Sequence, residues 1–408
     1  MKRRFKKVLV VVVFGVLMMA GGLVAGKMIF EEKQRPAVVE KNIYLEFINE
    51  VRGIISDNYW NKLTVEQLDK LLIAGTEKLT GQIQNGSAEK VILGVLKQYE
   101  SDEKRKQFTS SLMDAVLASL EPVGRSRLYV KQDAKALSDN VNNKTDKDFY
   151  ADLGVDKKAS DEEIKKAGEI KKDDPLAQKA YQILSDPVAK KNYDIAGVEP
   201  TMEYKLMDGG VFYIHLTKFS PQTVEELTRV TEKVKGKMGV VSLILDLRDN
   251  VGGAIDGLPY FLGPFIGNDN YAYQYFHQGA KEDFKTKSGW LESLVQYKRV
   301  VVLINGNTQS TAELMASVVK KYNVGVVVGT KTRGWGTVER VFPIKNQIDQ
   351  NEVYSVFLVH SLTLREDGEP IEGKGVEPVV DISSKTWQKE LLEYNGDERL
   401  VKAVSEVL

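Results

Sequence analysis

The chain has 408 residues, and 57 basic side chains balance 57 acidic ones, so its formal net charge is zero. A hydrophobic fraction of 42% with 28% charged residues is typical of globular proteins and excludes wholesale disorder or a fibrous repeat. Zero net charge argues against a dedicated nucleic-acid-binding protein, which usually has a strongly basic domain. Cysteine is absent and His215, His277 and His360 are scattered, so we expect no disulfide, metal site or cofactor.

The N-terminus has the pattern of a signal anchor. Basic residues at 2–4 and 6–7 precede an uncharged stretch at 8–26, and Lys27 closes it. A helix over this stretch is about 28 Å long, enough to cross the hydrocarbon core of a bilayer. The basic flank favours an N-terminus inside the cell, so we expect a single-pass plasma-membrane protein with most of the chain outside. A cleavable signal peptide is the alternative.

The rest of the chain divides by composition and periodicity. Apolar residues at helical spacing predict a helical region, whereas short β-rich runs alternating with helical patterns predict a mixed α/β core. Length alone favours about two to three domains. The predicted segments are an anchor at 1–27, a linker at 28–42, a helical region at 43–130, a linker at 131–147, a small helical module at 148–198, the α/β (α+β) core at 203–385 and a C-terminal helix at 386–408.

Two segments of the predicted core have features of a reactive site. A buried strand ends in DLRDNVGG at 246–253, and its glycine pair, Gly252 and Gly253, allows the backbone to turn its N–H groups towards a ligand. Ser310 lies just before a predicted helix, three residues ahead of Glu313. This spacing fits a helix-capping box, but a serine at a helix N-terminus also suits a nucleophile beside an oxyanion hole.

Several motifs in fixed order resemble the tail-specific, or carboxy-terminal processing, serine peptidase family. They are SLEPVGRSRLY at 119–129, FYIHLTKFS at 212–220, DLRDNVGG at 246–253, NGNTQSTAE at 305–313, VGTKTRGWGTV at 328–338 and LTLREDGEPIEGKGVEPVVDI at 362–382. The resemblance covers roughly 43–130 and 203–385, and it implies a peptidase core that acts on unstructured protein tails. By position, it assigns the nucleophile to Ser310 and the oxyanion hole to the N–H of Thr311 with that of Gly252 or Gly253.

The chain departs from the family at the general base. The family's lysine falls on Trp335 and its supporting glutamine on Glu339, while the flanking glycines align without a gap. Tryptophan has an N–H donor and cannot accept the serine proton. The sequence therefore indicates a membrane-anchored pseudoenzyme, weak or inactive as a serine endopeptidase, or a non-catalytic peptide-binding protein that uses the same groove. A relocated base is the competing hypothesis, and its candidates are Glu339, Lys331, His215 and His360.

The module at 148–198 lies where this family usually has a PDZ domain. Its two ends, DFYADLGVDKKASDEEIKKA at 148–167 and AQKAYQILSDPVAKKNYDIAG at 177–197, resemble the ends of a J domain. The His-Pro-Asp loop of the J domain is missing, so we expect no stimulation of a chaperone ATPase. Two or three short helices are predicted, with a core that includes Phe149, Leu153, Ile164, Ala180, Ile183, Leu184 and Tyr193.

Overall fold

A computed structural model describes residues 42–365 and 367–408. The predicted anchor at 1–27 and all but the last residue of the linker at 28–42 lie outside the described residues. Within the described ranges, no helix combines the length and apolar character needed to cross a membrane. Residues 42–408 form one compact unit.

Fifteen helices occur in the described part of the chain. They are α1 (Ile43–Asn58), α2 (Val65–Thr80), α3 (Ala88–Gln98), α4 (Asp102–Ser119), α5 (Lys131–Val141), α6 (Phe149–Leu153), α7 (Asp161–Ile170), α8 (Pro175–Leu184), α9 (Pro187–Ala196), α10 (Thr223–Glu232), α11 (Leu258–Ile266), α12 (Glu292–Val295), α13 (Thr311–Lys321), α14 (Trp387–Asn395) and α15 (Glu398–Val407). Side-chain caps fix several starts; Thr64, for example, accepts a hydrogen bond from the Gln67 N–H at the start of α2.

Eleven strands are present in the same residues. They are β1 (Arg127–Tyr129), β2 (Met202–Met207), β3 (Val211–Leu216), β4 (Ser242–Asp246), β5 (Tyr271–His277), β6 (Ala280–Lys285), β7 (Arg299–Ile304), β8 (Val326–Gly329), β9 (Thr337–Pro343), β10 (Ser355–Leu364) and β11 (Val380–Asp381).

The strands form two sheets. The six-stranded sheet has the order β11-β8-β7-β4-β3-β2 and is parallel except where β2 pairs with β3. The second sheet is antiparallel, with the order β1-β10-β5-β6 and β9 also paired with β10. Strand β4 is buried along its whole length, as expected for a parallel strand covered on both faces.

Hydrophobic cores join these layers. One core covers one face of the six-stranded sheet and includes side chains from α10, α11 and α13, and a smaller core packs α14 and α15 on that sheet. The helices α1 to α4 pack on β9 and β10 in a third core. Parallel strands and their helices therefore bring the ends of β4 and β7, where the predicted site lies, to one edge of the sheet.

The secondary structure differs from the prediction in four segments. The region at 43–130 is not wholly helical, because its end forms β1 and pairs with β10. The predicted linker at 131–147 contains α5, and the predicted C-terminal helix at 386–408 is two helices. The module at 148–198 has four helices, not two or three. Its core contains the predicted side chains, with Tyr193 only partly buried.

Candidate active site

The glycine pair after β4 is packed against the segment that carries Ser310. Gly252 has φ +89°, and a Cβ placed there would lie 2.7 Å from the Ser310 Cβ. Gly253 has φ +134°, and a Cβ there would lie 1.9 Å from the backbone oxygen of Phe219. Both positions therefore require glycine, for backbone conformation and for space.

Ser310 occupies a strained backbone position directly before α13. Its φ and ψ are 55° and −122°, a combination that non-glycine residues rarely adopt and that costs about 1–3 kcal/mol. The Ser310 side chain makes no capping hydrogen bond to the first turn of α13. This geometry favours the reactive interpretation over the simple helix cap, because the hydroxyl is not used to satisfy the helix terminus.

Glu313 connects Ser310 to the loop that carries Trp335. This carboxylate is fully buried and accepts hydrogen bonds from the N–H groups of Ser310, Gly334 and Trp335, each at 2.8 Å, and from the Thr332 hydroxyl at 2.5 Å. Burial raises the pKa of Glu313, and these hydrogen bonds act in the opposite direction. The spacing of Ser310 and Glu313 in the sequence predicts only a capping role for Glu313, because local spacing cannot show a contact with a distant loop.

Trp335 is covered by a cation, Arg125, which is itself paired with Glu372. The Arg125 guanidinium carbon lies 3.4 Å from the indole ring centroid, a cation–π contact. Arg125 also donates to Thr337 Oγ1 at 2.9 Å and pairs with Glu372 at 3.0 Å. The second Glu372 oxygen accepts from the Gly336 N–H at 2.8 Å. The indole at the predicted base position is therefore held in place by its neighbours.

Glu339 lies two residues beyond Thr337 on β9 and accepts a hydrogen bond from the Thr337 hydroxyl at 2.6 Å. Burial raises the pKa of this carboxyl group, while Thr337, the charge of Arg125 and the Trp335 indole lower it. A carboxyl group with a raised pKa is a better proton acceptor than an ordinary one once it is ionised. Glu339 is therefore a carboxylate beside Trp335 whose hydrogen-bond partner is Thr337.

A cleft of about 930 Å³ brings these groups together. Ser310, Gly253, Trp335 and Glu339 lie along it, with helix α5 on its border. The ring of Tyr129 stacks on Phe357 at 4.5 Å, and both rings line the same cleft. The volume and the mixed polar and apolar lining suit an extended peptide segment.

The three other candidate bases lie elsewhere. Lys331 is exposed and pairs with Glu377 at 2.8 Å. His215 Nε2 lies 3.2 Å from the Arg248 backbone oxygen, and His360 stacks on His277 with the ring centroids 4.3 Å apart. None of the three lines the cleft as the described residues form it.

The three backbone N–H groups predicted to bind an oxyanion differ in whether they already donate a hydrogen bond within the protein. The Gly252 N–H donates to Asn250 Oδ1 at 2.8 Å and is therefore engaged. Across residues 42–365 and 367–408, the N–H groups of Gly253 and Thr311 have no hydrogen-bond acceptor in the protein. The Thr311 hydroxyl donates to the Gly253 oxygen at 3.1 Å, which holds the two segments together. Gly253 and Thr311 are therefore better placed than Gly252 to bind an oxyanion.

A parallel-centred sheet, a strained serine at the start of a helix and two neighbouring N–H groups without a protein acceptor are features that serine hydrolases can use for catalysis. Residues 210–382 match the family model of Peptidase family S41.

The chain is similar to several proteins over this core. It is 32% identical over 190 residues to a "Probable CtpA-like serine protease" of Staphylococcus epidermidis, covering 46% of this chain and 36% of that one. It is also 32% identical over 190 residues to the "Carboxy-terminal processing protease CtpA" of Bacillus subtilis, covering 46% and 38%. The matched stretch thus spans less than half the length of these relatives.

The fold is similar to that of a solved "Photosystem II D1 C-terminal processing protease". The TM-score is 0.51 at 17% sequence identity, with 84% of this chain and 93% of the other covered. At this identity the likeness concerns the fold alone.

Proposed function

We propose that this protein binds unstructured peptide tails in the cleft of Ser310 and cleaves them weakly or not at all. The observation that carries this proposal is Trp335, which stands at the family's base position, lines the cleft with Ser310 and is held beneath Arg125. The peptide is expected to lie extended along the cleft, in contact with Tyr129 and Phe357.

The loss of the base explains why turnover should be low. A serine hydroxyl is a weak nucleophile until a neighbouring group accepts its proton, and an indole N–H cannot do so. Loss of general-base assistance lowers the rate by roughly 10²–10⁴. The features that bind a chain and stabilise an oxyanion, Gly253 and Thr311, do not depend on this base.

Cleavage of a casein-like substrate by the full chain tests the proposal. We expect little cleavage, and we expect Ser310→Ala to bind a tail peptide about as tightly as the unchanged chain. Trp335→Lys combined with Glu339→Gln should raise cleavage, provided that the pocket lowers the pKa of the new lysine. Robust cleavage by the unchanged chain that Ser310→Ala abolishes would contradict the proposal.

A peptidase with a relocated base is the second candidate function. It is favoured by Glu339, which lines the cleft with Ser310 and whose pKa burial raises. In this case the unchanged chain cleaves the substrate and Glu339→Gln reduces cleavage by roughly 10²-fold or more. Lys331→Gln is the matched control, because Lys331 pairs with Glu377 outside the cleft, and it should leave cleavage unchanged.

Membrane anchorage is part of the same proposal. The uncharged stretch at 8–26 would hold the chain in the plasma membrane with the cleft on the outer face. Fractionation and protease accessibility of intact cells test this. A soluble mature chain that begins near Lys27 would show instead that the segment is a cleaved signal peptide.

We propose that the module at 148–198 is a J-like remnant that acts as a spacer or partner-docking unit. Its Asp186 pairs with Arg229 on α10 at 3.2 Å and with Lys233, just after α10, at 3.0 Å, and Gln182 donates to the Tyr204 backbone oxygen at 2.9 Å. These contacts fasten it to the core. The full chain should not accelerate ATP hydrolysis by a heat-shock chaperone, and a clear acceleration would overturn this assignment.

A further inference from the structure

A second cavity, of about 690 Å³, lies at the edge of the six-stranded sheet where β7 and β8 begin. Ser310 follows the opposite end of β7, and the six residues of this strand span about 20 Å. Among the described residues, none lines both this cavity and the Ser310 cleft. We call this cavity the basic groove, after Lys298, Arg299 and Lys320, which line it.

Two of the three cations in the basic groove have no anionic partner in the described chain. Arg299 pairs with Asp397 at 3.5 Å. The Lys320 ammonium group donates only to the neutral backbone oxygen of Glu377, at 3.1 Å. The Lys298 ammonium group has neither a hydrogen-bond acceptor nor an ion pair within the residues that the structure describes. The groove therefore presents two uncompensated positive charges.

Three carboxylates in the segments that border the basic groove are already paired with basic side chains. They are Asp397 with Arg299 and Arg399, Glu377 with Lys331, and Glu393 with Lys389. None of these carboxylates lines the groove as the described residues form it. An anion that enters the groove therefore meets the charges of Lys298 and Lys320 without competition from a carboxylate in the wall.

The rest of the lining is largely apolar. It contains four valines that are each only partly buried, Val300, Val324, Val326 and Val379. Tyr394 also lines the groove and is 61% exposed. Because methyl groups and an aromatic ring gain free energy when a flat apolar group covers them, this surface suits an organic ligand better than a small inorganic ion.

Asn395 adds a neutral donor to the same wall. Its Oδ1 accepts the Asp397 N–H at 2.9 Å, whereas its Nδ2 is buried and has no acceptor among the residues described. A buried donor without an acceptor raises the free energy of the protein. An oxygen-rich ligand in the groove is the kind of group that satisfies such a donor.

The number of uncompensated charges indicates the kind of anion. A phosphate monoester carries about −1.5 to −2 charges near pH 7 and has three strong acceptor oxygens, whereas a carboxylate carries a single charge. Lysine binds phosphate as a point charge, without the fixed geometry that arginine imposes. A phosphate monoester therefore matches the two ammonium groups, and the valines and Tyr394 match an aromatic group attached to it.

We propose that the basic groove binds a phosphate monoester of an aromatic compound, with its phosphate on Lys298 and Lys320 and its ring against Tyr394. The inference goes beyond the proposed function, because the groove lies at the opposite edge of the sheet from Ser310. Its outcome is independent of whether the Ser310 cleft binds or cleaves a peptide.

Isothermal titration calorimetry of the full chain in mild detergent tests the proposal with three probes. Adenosine 5′-monophosphate has both the ring and the phosphate, adenosine has only the ring, and inorganic phosphate has only the anion. We expect the monophosphate to bind about 10-fold or more tightly than either of the others. Lys298→Gln and Lys320→Gln should each weaken monophosphate binding by about 5- to 10-fold and leave adenosine binding unchanged.

A matched control and a measurement of folding keep the result clear. Lys402→Gln removes an exposed lysine of α15 that pairs with Glu406 outside the groove, and it should leave all three affinities unchanged. Lys320 also lies in the last turn of α13, where a cation stabilises the helix. A purely structural role would lower the thermal unfolding midpoint of Lys320→Gln without changing the ratio of the monophosphate and adenosine affinities, and this result would overturn the proposal.

Three other results would also overturn it. The first is the absence of monophosphate binding, and the second is equal affinity for the monophosphate and adenosine. The third is inorganic phosphate binding as tightly as the monophosphate, with Lys402→Gln weakening both, which would mean non-specific attraction of anions to a basic surface.

Discussion

On one side of the cleft, Ser310 is positioned mainly by the backbone; on the other, Trp335 is positioned mainly by side chains. The serine turn, defined as residues 250–253 with 309–311, is joined by the Gln309 N–H to the Asn250 oxygen at 2.8 Å and by glycines with no room for a Cβ. The tryptophan wall, defined as Arg125, Trp335, Thr337, Glu339 and Glu372, depends on a guanidinium stack and carboxylates.

The serine turn and the tryptophan wall therefore differ in how they respond to substitution. Backbone hydrogen bonds are made by any residue type, so the serine turn can keep its geometry while the opposite wall changes its chemistry. The wall depends on which side chains are present, so one substitution there changes its chemistry. The backbone of the serine turn can therefore keep its conformation when a side chain of the tryptophan wall is replaced.

The largest loss of unfolding free energy is expected for Gly253→Ala in the serine turn. Its Cβ would lie 1.9 Å from the Phe219 oxygen at φ +134°, so the backbone must move and the fold should lose about 3 kcal/mol or more. Urea unfolding measures the loss. Gly257→Ala is the matched control, because a Cβ there meets nothing within 4 Å, and a loss of similar size in that variant would contradict the steric explanation.

Glu313→Gln should cause the next largest loss of unfolding free energy, because Glu313 joins the serine turn to the tryptophan wall. The carboxylate accepts four hydrogen bonds, and an amide would place an NH₂ group against N–H donors. We expect a loss of about 2–3 kcal/mol in unfolding free energy. The exposed Glu406→Gln should change it by less than about 0.5 kcal/mol, and equal effects of the two substitutions would refute the bridging role.

Arg125→Gln should loosen the tryptophan wall and leave the serine turn intact. It removes the cation over Trp335 and the partner of Glu372, for a loss of about 1–2 kcal/mol. Trp335 fluorescence should change along with stability, since the ring loses its cover. Arg127→Gln, the substitution of an exposed neighbour, serves as control; an Arg125 variant as stable as this control would mean that the stack contributes nothing.

A smaller effect on the free energy of unfolding is expected from His360, which lies on β10 of the antiparallel sheet. Burial, followed by the charges of Arg340 and His277, lowers its pKa to about 4 from an ordinary value near 6.5. The unfolded chain therefore binds this proton first, so the contribution of His360 is complete above about pH 6.5 and is lost as the pH falls towards 4.

Because His360 is only half-buried, the loss should be about 1 kcal/mol. His360→Gln should remove this part of the difference in unfolding free energy between pH 7 and pH 4.5. A variant with the same pH dependence as the unchanged chain would show that another group is responsible.

Local patterns were sufficient for much of the site. Apolar runs that form β4 and β7, a glycine pair and a serine before a helix are features of neighbouring residues, so they predict the α/β class and the position of Ser310. The placement of Trp335 and Glu339 in the same region was implied by the family resemblance. The same patterns failed at α5, whose polar residues were interpreted as a linker. None of its side chains is fully buried, so the periodic apolar face that predicts a helix is weak.

Contacts between distant residues depended on the fold. Arg125 meets Thr337 across 212 positions, and Lys218 meets Asn140 across 78. No local spacing predicts such pairs, because closing a long loop is favoured only when the whole sheet and its helices pack. The amino-acid order was therefore enough to place a serine and a tryptophan at one edge of a sheet. The packed structure decided which cation covers the indole and which carboxylate joins the two sides of the cleft.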